Sequence, residues 1–484
     1  MKKNPSLLAS TLLLLLFITN TTFLRSKTVT AVEALVPRSK TFKYVNHGER
    51  SEYATEYETH PSYLFIPQIA HHPFMLAFYS TTPNAFTLGL SMGYPLMTRA
   101  RKARHYSPMI LKRWVWSANL HKPVRENATL TFGGDGNLVL AESSGRIAWQ
   151  TRTANKGVVD LKLLPNGNLV LVNKNGGVVW QSFDYPTDTL LNGQGLRGDG
   201  SNKLVSGSYS MVMDVDANQR QLLTLFFDGA KKNSSQRPIL LAYHVIEYWY
   251  FNWYDKVNFY SAPLQYGVDG SDIANELGLS WLGKERERTL WAEPKYNSTL
   301  SMLRLTRDGN LRVYTYNEIE GHRDAWEETY TLFSGNQCIL PEKCGGFGLC
   351  SKGNCVACPT SEGLRGWSEK CKPAKLPACK YDSTSNNRTS SDAKLVDYYK
   401  LKGLSSSLRR NLRDGISTDF VKMKIGECRK NCSEDCKCVG FFYRTSEQDC
   451  LLVTYGLFTL TTDPEWDEVH INDSKADGYI KFAK

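Results

Sequence analysis

Two stretches of the sequence place polar side chains in the same order before a hydrophobic strand. DGN at 135–137 precedes LVLA, and NGN at 166–168 precedes LVLV. Residues two apart in an extended strand point to the same side, so the first and third residue of each triplet could hydrogen-bond one polar ligand. The same dipeptides also favour tight hairpin turns, which need positive φ angles. The residues alone leave both interpretations open.

Short strands must position these residues. Between residues 74 and 180, hydrophobic and aromatic residues alternate with polar ones, and Gly, Asn and Asp interrupt the pattern. This alternation predicts β-strands joined by hairpin turns. Trp116, Trp149 and Trp180 each end a hydrophobic strand at a similar spacing. Sheet units this small cannot bury a face alone, so we expect three of them to pack around a shared axis with the tryptophans inward.

The stretch VWSANLHKPVRENATLTFGGDGNLVL (115–140) resembles the bulb-type mannose-binding lectin domain of plants, and VVWQSFDYPTDTLL (178–191) resembles the S-locus glycoprotein signature that follows it. Nearly the whole chain resembles the epidermis-specific secreted glycoproteins of plants and their lectin-like relatives. The resemblance implies a mainly β fold with two β-prism domains in tandem. The expected boundaries are 71–191 for the bulb-type lectin domain, 192–335 for the second lectin-like domain, 336–374 for an EGF-like module and 379–484 for an α+β PAN/apple module.

In these lectins each repeat can carry Gln-x-Asp-x-Asn-x-Val-x-Tyr, whose polar groups bind sugar hydroxyls while Val gives an apolar contact. The first copy (residues 133–141) matches at Asp135, Asn137 and Val139, but Gly133 and Ala141 replace Gln and Tyr. The second copy (residues 164–172) matches at Asn168 and Val170, but Asn166 replaces Asp. Each lost hydrogen bond removes about 0.5–1.5 kcal/mol. The two copies are therefore consistent with a degenerate mannose site or with turns that only keep the fold.

A third copy (residues 306–314) reads TRDGNLRVY, in which Asp308, Asn310 and Tyr314 match and Arg312 would crowd the apolar contact. The carbohydrate-binding candidates are thus Asp135, Asn137, Val139, Asn168, Asp308, Asn310 and Tyr314. The aromatic run YWYFNWYDKVNFY (248–260) lies in the same second domain. It fits either core strands or a stacking platform for a sugar or a protein.

All 12 cysteines lie between residues 338 and 450, which predicts disulfides in an oxidising compartment. The first set resembles an EGF-like module and comprises Cys338, Cys344, Cys350, Cys355, Cys358 and Cys371. The second set resembles a PAN/apple module and comprises Cys379, Cys428, Cys432, Cys436, Cys438 and Cys450. The spacing of four predicts that Cys428, Cys432 and Cys436 share one helix face. Spacing does not determine pairing; the resemblance implies Cys428–Cys450 and Cys432–Cys438.

The N-terminus predicts secretion. Lys2 and Lys3 precede a leucine-rich run that is too short to span a bilayer, as in a signal peptide, here assigned to residues 1–31. Residues 32–70 would form an N-terminal segment, and no later apolar run predicts a membrane span. N-glycosylation sequons occur at Asn127, Asn233, Asn297, Asn387, Asn431 and Asn472. We expect an extracellular protein of the cell wall or apoplast.

No residue pattern indicates catalysis, a cofactor or a metal. The chain has no Ser–His–Asp signature or nucleophile elbow, and no pair of carboxylates stands out for glycosidase chemistry. Cys355 and Cys358 fit disulfides better than zinc in a cysteine-dense secreted segment. The net charge is +11, but secretion argues against nucleic acid. The charge fits solvated loops or attraction to acidic polysaccharide.

The sequence therefore predicts a non-enzymatic, secreted, lectin-like glycoprotein of the plant extracellular matrix. Its partner would be a carbohydrate or cell-wall polysaccharide, bound through a degenerate mannose site. The alternative is a protein- or peptide-binding, receptor-like ectodomain that lacks a kinase. It would bind a partner, or a second copy of itself, through the PAN module and the aromatic run.

Overall fold

The computed structural model describes residues 36–50, 62–93, 112–215, 221–227, 239–241, 256–261, 277–280, 287–292, 300–316, 326–335, 337–369, 371, 376, 380–381, 388–389, 393–406, 420–436, 438–453, 459–461 and 476–484. The predicted signal peptide, most of the aromatic run 248–260, Cys379 and the sequons at Asn233, Asn297, Asn387 and Asn472 lie outside these residues.

The first prism is built from short hairpins. Its strands are β1 (Phe42–Val45), β2 (Ser62–His71), β3 (Phe74–Thr82), β4 (Ala85–Met92), β5 (Arg113–Ser117), β6 (Thr129–Phe132), β7 (Leu138–Ala141), β8 (Ile147–Gln150), β9 (Val158–Leu163), β10 (Leu169–Asn173) and β11 (Val178–Gln181). They form three antiparallel sheets, ordered β1-β6-β7-β8, β11-β10-β9 and β2-β3-β4-β5. Strands β1 and β2 come from the predicted N-terminal segment and pair with β6 and β3. Part of that segment is thus built into the prism.

Three tryptophans meet on the axis of this prism. The next-to-last residues of β5, β8 and β11, one strand from each sheet, are Trp116, Trp149 and Trp180. Their ring centroids lie 5.8, 6.2 and 5.8 Å apart, with interplanar angles of 73°, 69° and 72°. Edge-to-face contacts of this kind are favourable aromatic geometry. The near-equal distances and angles confirm the predicted three-fold arrangement.

Glycine is required in the turn of each copy. Gly136 and Gly167 have φ angles of +81° and +84°, in the left-handed region that other residues rarely adopt. A Cβ atom on Gly167 would lie 2.6 Å from Cε1 of Phe74. The turn glycines therefore serve both backbone conformation and close packing on the core.

The second prism repeats the plan. Its strands are β12 (Thr189–Leu191), β13 (Gly195–Arg197), β14 (Lys203–Ser206), β15 (Tyr209–Val215), β16 (Gln221–Phe227), β17 (Ile239–Leu241), β18 (Lys256–Ser261), β19 (Leu277–Ser280), β20 (Glu287–Ala292), β21 (Ser301–Leu305), β22 (Leu311–Tyr316) and β23 (Trp326–Thr331). They form three four-stranded sheets, ordered β12-β21-β22-β23, β13-β18-β20-β19 and β14-β15-β16-β17. Leucine, methionine and phenylalanine side chains from several of these strands form a separate buried core.

Two arginines, the buried Arg304 and the half-buried Arg113, join the two prisms. The Arg304 guanidinium donates through Nε to the Thr189 hydroxyl at 3.0 Å and through Nη2 to the carbonyl of Trp114. The Arg113 guanidinium lies 4.1 Å above the Tyr314 ring, a cation–π contact. Side chains of β21 and β22 also belong to the main core of the first prism, so the two prisms pack directly on each other.

The C-terminal region contains β24 (Leu349–Ser351), β25 (Asn354–Thr360), β26 (Gly363–Gly366), β27 (Lys380–Tyr381), β28 (Arg388–Thr389), β29 (Val396–Ser406), β30 (Val421–Lys422), helix α1 (Ile425–Glu434), β31 (Gly440–Arg444), β32 (Asp449–Val453), β33 (Leu460–Thr461) and β34 (Ala476–Ala483). Short 3-10 turns occur along the chain at Arg38–Lys40, Ser182–Asp184, Gln337–Ile339 and Ala393–Leu395. With the two prisms, this region confirms the predicted mainly β fold class. In the described ranges, no helix is long and apolar enough to cross a bilayer.

The segments predicted as EGF-like and PAN modules share one nine-stranded sheet, ordered β26-β25-β24-β33-β29-β34-β31-β32-β30. The junction is a parallel pairing of β24 with β33. The Thr459 N–H donates to the Pro341 carbonyl at 2.7 Å, and the Thr459 hydroxyl accepts from the Cys344 N–H at 3.0 Å. The two modules therefore form a single body.

Disulfides hold this region together. The bridges join Cys338 to Cys350, Cys344 to Cys355, Cys358 to Cys371, Cys428 to Cys450 and Cys432 to Cys438. The last two are the pairs that the resemblance implies. Cys436 is also disulfide-bonded, and none of the described cysteines is free.

The predicted helix face of three cysteines is wrong for its last member. Cys428 and Cys432 are buried on α1, but the helix ends at Glu434 and Cys436 follows it. Asp435 is extended, with φ −85° and ψ 111°. The Lys481 ammonium donates to the carbonyls of Cys432 and Asp435 at 2.8 and 3.0 Å. This cation satisfies carbonyls at the helix C-terminus, where the chain leaves the helix.

Candidate carbohydrate site

The first copy lies in the turn between β6 and β7. Asp135 is exposed at the tip, and its Oδ1 accepts a hydrogen bond from the Asn137 N–H at 3.0 Å. The Asp135 carbonyl accepts from the Asn155 N–H at 2.8 Å. Val139 is half-buried and belongs to β7. The turn thus presents a carboxylate to solvent, beside a partly exposed apolar residue.

The Asn137 side chain faces the protein rather than solvent. It is only 7% exposed, and its Nδ2 donates to Oε1 of Gln150 at 2.9 Å. Its Oδ1 accepts from the Thr151 hydroxyl at 3.0 Å and from the Thr153 N–H at 3.1 Å. The amide therefore fastens the turn to the chain that leaves β8, and few of its hydrogen-bonding positions remain for a ligand.

The second copy uses the same arrangement. The Asn168 Nδ2 donates to Oε1 of Gln181 at 2.8 Å, and its Oδ1 accepts from the Ser182 hydroxyl and the Phe183 N–H, both at 3.3 Å. Val170 is 1% exposed, so the face that would contact a sugar is closed. Asn166 is exposed at the tip but carries no charge.

The third copy holds its carboxylate in an internal ion pair. Asp308 Oδ2 accepts from Arg312 Nη2 at 2.7 Å, and Oδ1 accepts from Arg312 Nη1 at 2.9 Å. Oδ1 also accepts from the Thr306 hydroxyl at 2.6 Å and from the Asn310 N–H at 3.1 Å. Partial burial would raise the pKa of Asp308, but hydrogen bonds from Arg312, Thr306 and Asn310 outweigh it and lower the pKa to about 2. The arginine predicted to crowd the apolar contact also occupies the carboxylate.

The side-chain amide of Asn310 has fewer hydrogen-bond partners than the equivalent amides of the first two copies. Its side chain is fully buried, and its Oδ1 accepts from the Phe333 N–H at 3.2 Å. Within the described residues its Nδ2 has no hydrogen-bond partner. Thr331 pairs with Arg312 across the strands, just as Gln150 pairs with Val139 in the first copy. Thr331 therefore stands where the first copy has Gln150. The acceptor used by the other two copies is therefore missing.

Tyr314, the last candidate of the third copy, is 9% exposed and lies under the Arg113 guanidinium. Burial raises the pKa of its phenol. Its ring belongs to the junction between the prisms, not to an open face.

The third unit of the first prism, predicted from Trp116, has no recognisable copy of the sugar motif in the sequence. Leu90 pairs with Trp116 as Leu140 pairs with Trp149, which places Gly89 where the first copy has Val139. A Cβ on Gly89 would lie 2.7 Å from Cε1 of Tyr79, whose ring stacks on Trp114 at 4.0 Å. An aromatic cluster thus covers the face that would hold a sugar. The only sequence signal for this unit was the position of Trp116.

The sequons at Asn127 and Asn431 are described by the structure. Asn127 is exposed before β6, whereas Asn431 is half-buried in α1. No group of three or more His, Cys, Asp or Glu side chains among the described residues could hold a metal ion.

Several known proteins are similar to this chain. The family described as D-mannose binding lectin matches residues 113–210. EP1-like glycoprotein 3 of Arabidopsis thaliana is 40% identical over 468 residues, which cover 93% of each chain. The epidermis-specific secreted glycoprotein EP1 of Daucus carota is 44% identical over 382 residues, covering 71% of this chain and 90% of that protein.

More distant matches extend to receptors. The G-type lectin S-receptor-like serine/threonine-protein kinase SD2-5 of Arabidopsis thaliana is 25% identical, covering 70% of this chain and 38% of that protein. A solved monomeric mannose-binding lectin of Gastrodia elata is 19% identical, covering 30% of this chain and 96% of its own, with a TM-score of 0.16 that supports no conclusion. The extended similarity at 40% identity is decisive: the chain belongs to the family of EP1-like glycoproteins.

Proposed function

We propose that this protein is a secreted lectin-like glycoprotein of the plant extracellular matrix, which binds carbohydrate weakly through the first copy. The observation that carries the proposal is the exposed carboxylate of Asp135. The second copy has an amide in its place, and the third pairs its carboxylate with Arg312. Secretion is inferred from the signal-peptide pattern and from relatives such as the secreted glycoprotein of Daucus carota.

The chemistry of the first copy favours a shallow, polar contact. The Asn137 N–H holds Oδ1 of Asp135, which leaves Oδ2 to accept hydrogen bonds from sugar hydroxyls. Val139 offers a small apolar contact. Gly133 and Ala141 supply no polar side chain where the lectin motif has Gln and Tyr, and each missing hydrogen bond weakens binding by about 0.5–1.5 kcal/mol. The protein would act by binding, without catalysis.

A glycan array tests the proposal. The purified protein should bind mannose-type or cell-wall glycans, and Asp135→Ala should lose the signal. Asp308→Ala is the matched control, because that carboxylate is already engaged by Arg312, and it should bind as the wild type does. Silence of the wild-type protein across neutral and acidic glycans would exclude the proposed function.

The second candidate function is protein binding or self-association through the PAN-like region. It is favoured by two exposed apolar side chains four residues apart: Val421 in β30 is 58% exposed, and Ile425, the first residue of α1, is 40% exposed. Single exposed apolar residues are ordinary, but exposed apolar patches favour contact surfaces. Sedimentation of the full chain over a range of concentrations tests self-association. Dimers that dissociate in Val421→Ser with Ile425→Ser would support it, and a monomer at every concentration would exclude it.

A further inference from the structure

The two sequons that the structure describes differ in exposure, in backbone conformation and in side-chain contacts. Asn127, in Asn127-Ala128-Thr129, is exposed and has a φ angle of +64°. Its N–H donates to the Asn46 carbonyl at 3.0 Å, which fixes the backbone. Among the described residues its side-chain amide has no hydrogen-bond partner, so a group attached to Nδ2 would extend into solvent.

Asn431, in Asn431-Cys432-Ser433, lies inside α1. Its side chain is half-buried, and Nδ2 contacts Sδ of Met423 at 3.8 Å. Its carbonyl accepts from the Asp435 N–H at 3.0 Å as part of the helix end. A sugar on Nδ2 would have to displace the Met423 side chain from its place against the helix.

The other two residues of this sequon are also committed to the core. Cys432 is fully buried and bridged to Cys438, only six residues away. The Ser433 hydroxyl donates to the Arg429 carbonyl at 2.8 Å and lies 2.9 Å from the Tyr398 hydroxyl. Closing so short a loop costs little conformational entropy, which favours early formation of the Cys432–Cys438 bridge.

We propose that Asn127 carries an N-linked oligosaccharide and that Asn431 stays unmodified. The donor would be an oligosaccharide linked to a polyisoprenyl diphosphate. The amide nitrogen attacks the anomeric carbon, a C–N bond forms, and the C–O bond to the diphosphate breaks. The amide loses one proton, and the polyisoprenyl diphosphate leaves.

The attachment point of the oligosaccharide is separate from the candidate carbohydrate site. Asn127 precedes the first residue of β6, and the turn with Asp135 follows the last. A four-residue strand such as Thr129–Phe132 spans roughly 10–13 Å at about 3.3 Å per residue. Asn127 and the site therefore lie at opposite ends of one strand, and a test for the glycan at Asn127 does not depend on whether the first copy binds carbohydrate.

Peptide mapping of the protein secreted from plant cells tests the proposal. Peptide N-glycosidase A releases N-glycans and converts each glycosylated Asn to Asp, and heavy-oxygen water labels the new carboxylate. We expect label at position 127 and unlabelled Asn at position 431. A glycan at Asn431 in the folded secreted protein, or an unmodified Asn127, would overturn the proposal.

Matched variants give a second readout. Asn127→Gln should lose the mass of one glycan, whereas Asn431→Gln should keep the wild-type mass. Thr129→Ser retains the sequon and should retain the glycan, and Thr129→Val removes the sequon and should lose it. If a variant is not secreted, the peptide map of the wild-type protein still decides the test, because it needs no substitution.

Discussion

The Asn137→Ala substitution tests whether Asn137 stabilises the fold or binds the carbohydrate. Asn137 is 7% exposed and makes side-chain hydrogen bonds to Gln150, Thr151 and Thr153. Alanine keeps the backbone and removes all three. We therefore expect the substitution to lower the stability of the first prism, and not carbohydrate binding alone.

The expected magnitude follows from the partners. Each hydrogen bond contributes about 0.5–1.5 kcal/mol, and a buried group left without a partner costs about 1–3 kcal/mol. Thr153, whose N–H loses its acceptor, is 2% exposed. Gln150 is half-buried and can turn to water, and the Thr151 hydroxyl retains Thr153 Oγ1 at 2.7 Å. The sum is a loss of about 2–4 kcal/mol in the free energy of unfolding.

Urea unfolding followed by near-UV circular dichroism measures this loss. The cluster of Trp116, Trp149 and Trp180 gives the first prism its own aromatic signal. With a slope of about 2 kcal/mol per molar, the midpoint should fall by about 1–2 M. All 12 cysteines lie beyond residue 337, so measurement in reductant separates the prism from the C-terminal region.

Two further variants complete the test. Asn168→Ala should cost about as much as Asn137→Ala, because the second copy has the same hydrogen bonds. Asp135→Ala loses one exposed turn hydrogen bond and should cost less than about 1 kcal/mol. An Asn137→Ala protein that unfolds within 0.5 kcal/mol of wild type yet binds no glycan would refute the reasoning.

Three other predictions concern single side chains. Thr331→Gln should give the buried Nδ2 of Asn310 an acceptor and raise the free energy of unfolding of the second prism, measured in urea, by about 1 kcal/mol. Thr331→Met has a side chain of similar length without an acceptor and should not stabilise the prism. Equal effects of the two substitutions would contradict the equivalence of Thr331 and Gln150. The pKa of Asp308 is lowered from 3.8 to about 2, so its ion pair stabilises the fold above pH 4 and is lost as pH falls toward 2. Solvent screening limits the contribution of the ion pair to the free energy of unfolding to less than about 1 kcal/mol. The stability of Asp308→Asn should depend less on pH in the acid range. An unchanged pH dependence would count against the ion pair. Burial lowers the pKa of Lys112 to about 7, so the unfolded chain binds the extra proton between pH 7 and 10.5 and stability should rise over that range. Lys112→Met should abolish this rise in stability and stabilise the protein at pH 6 by about 1–3 kcal/mol. If stability still rises with pH in the variant, another group causes the rise.

The repeated architecture was predictable because its signals are local. Alternating residues determine which strand face is buried, and the spacing of Trp116, Trp149 and Trp180 indicates one inward residue per sheet. Gly136 and Gly167 occupy turns with positive φ, which favour glycine. The contribution of β1 and β2 to the prism was not predictable, because strand pairing across long separations leaves no periodic mark.

The roles of the site residues depend on directions that sequence does not contain. Asn137 matches the sugar motif and a structural clamp equally well, and only the positions of Gln150 and Thr153 distinguish them. The Asp308–Arg312 ion pair is another case, since an arginine at that spacing can point to solvent or back to the carboxylate. Cys436 follows the helix because Asp435 is extended, which the spacing of four does not reveal.

The affinity of one glycan for wild type and for Asp135→Asn, measured by titration calorimetry, tests the central claim most directly. The variant places in the first copy the amide that the second copy already has at Asn166. Loss of a charge-assisted hydrogen bond at an exposed site should weaken binding about tenfold, or about 1.4 kcal/mol, without lowering the urea midpoint. Equal affinities for the two proteins would contradict the assignment of Asp135 as the residue that binds carbohydrate.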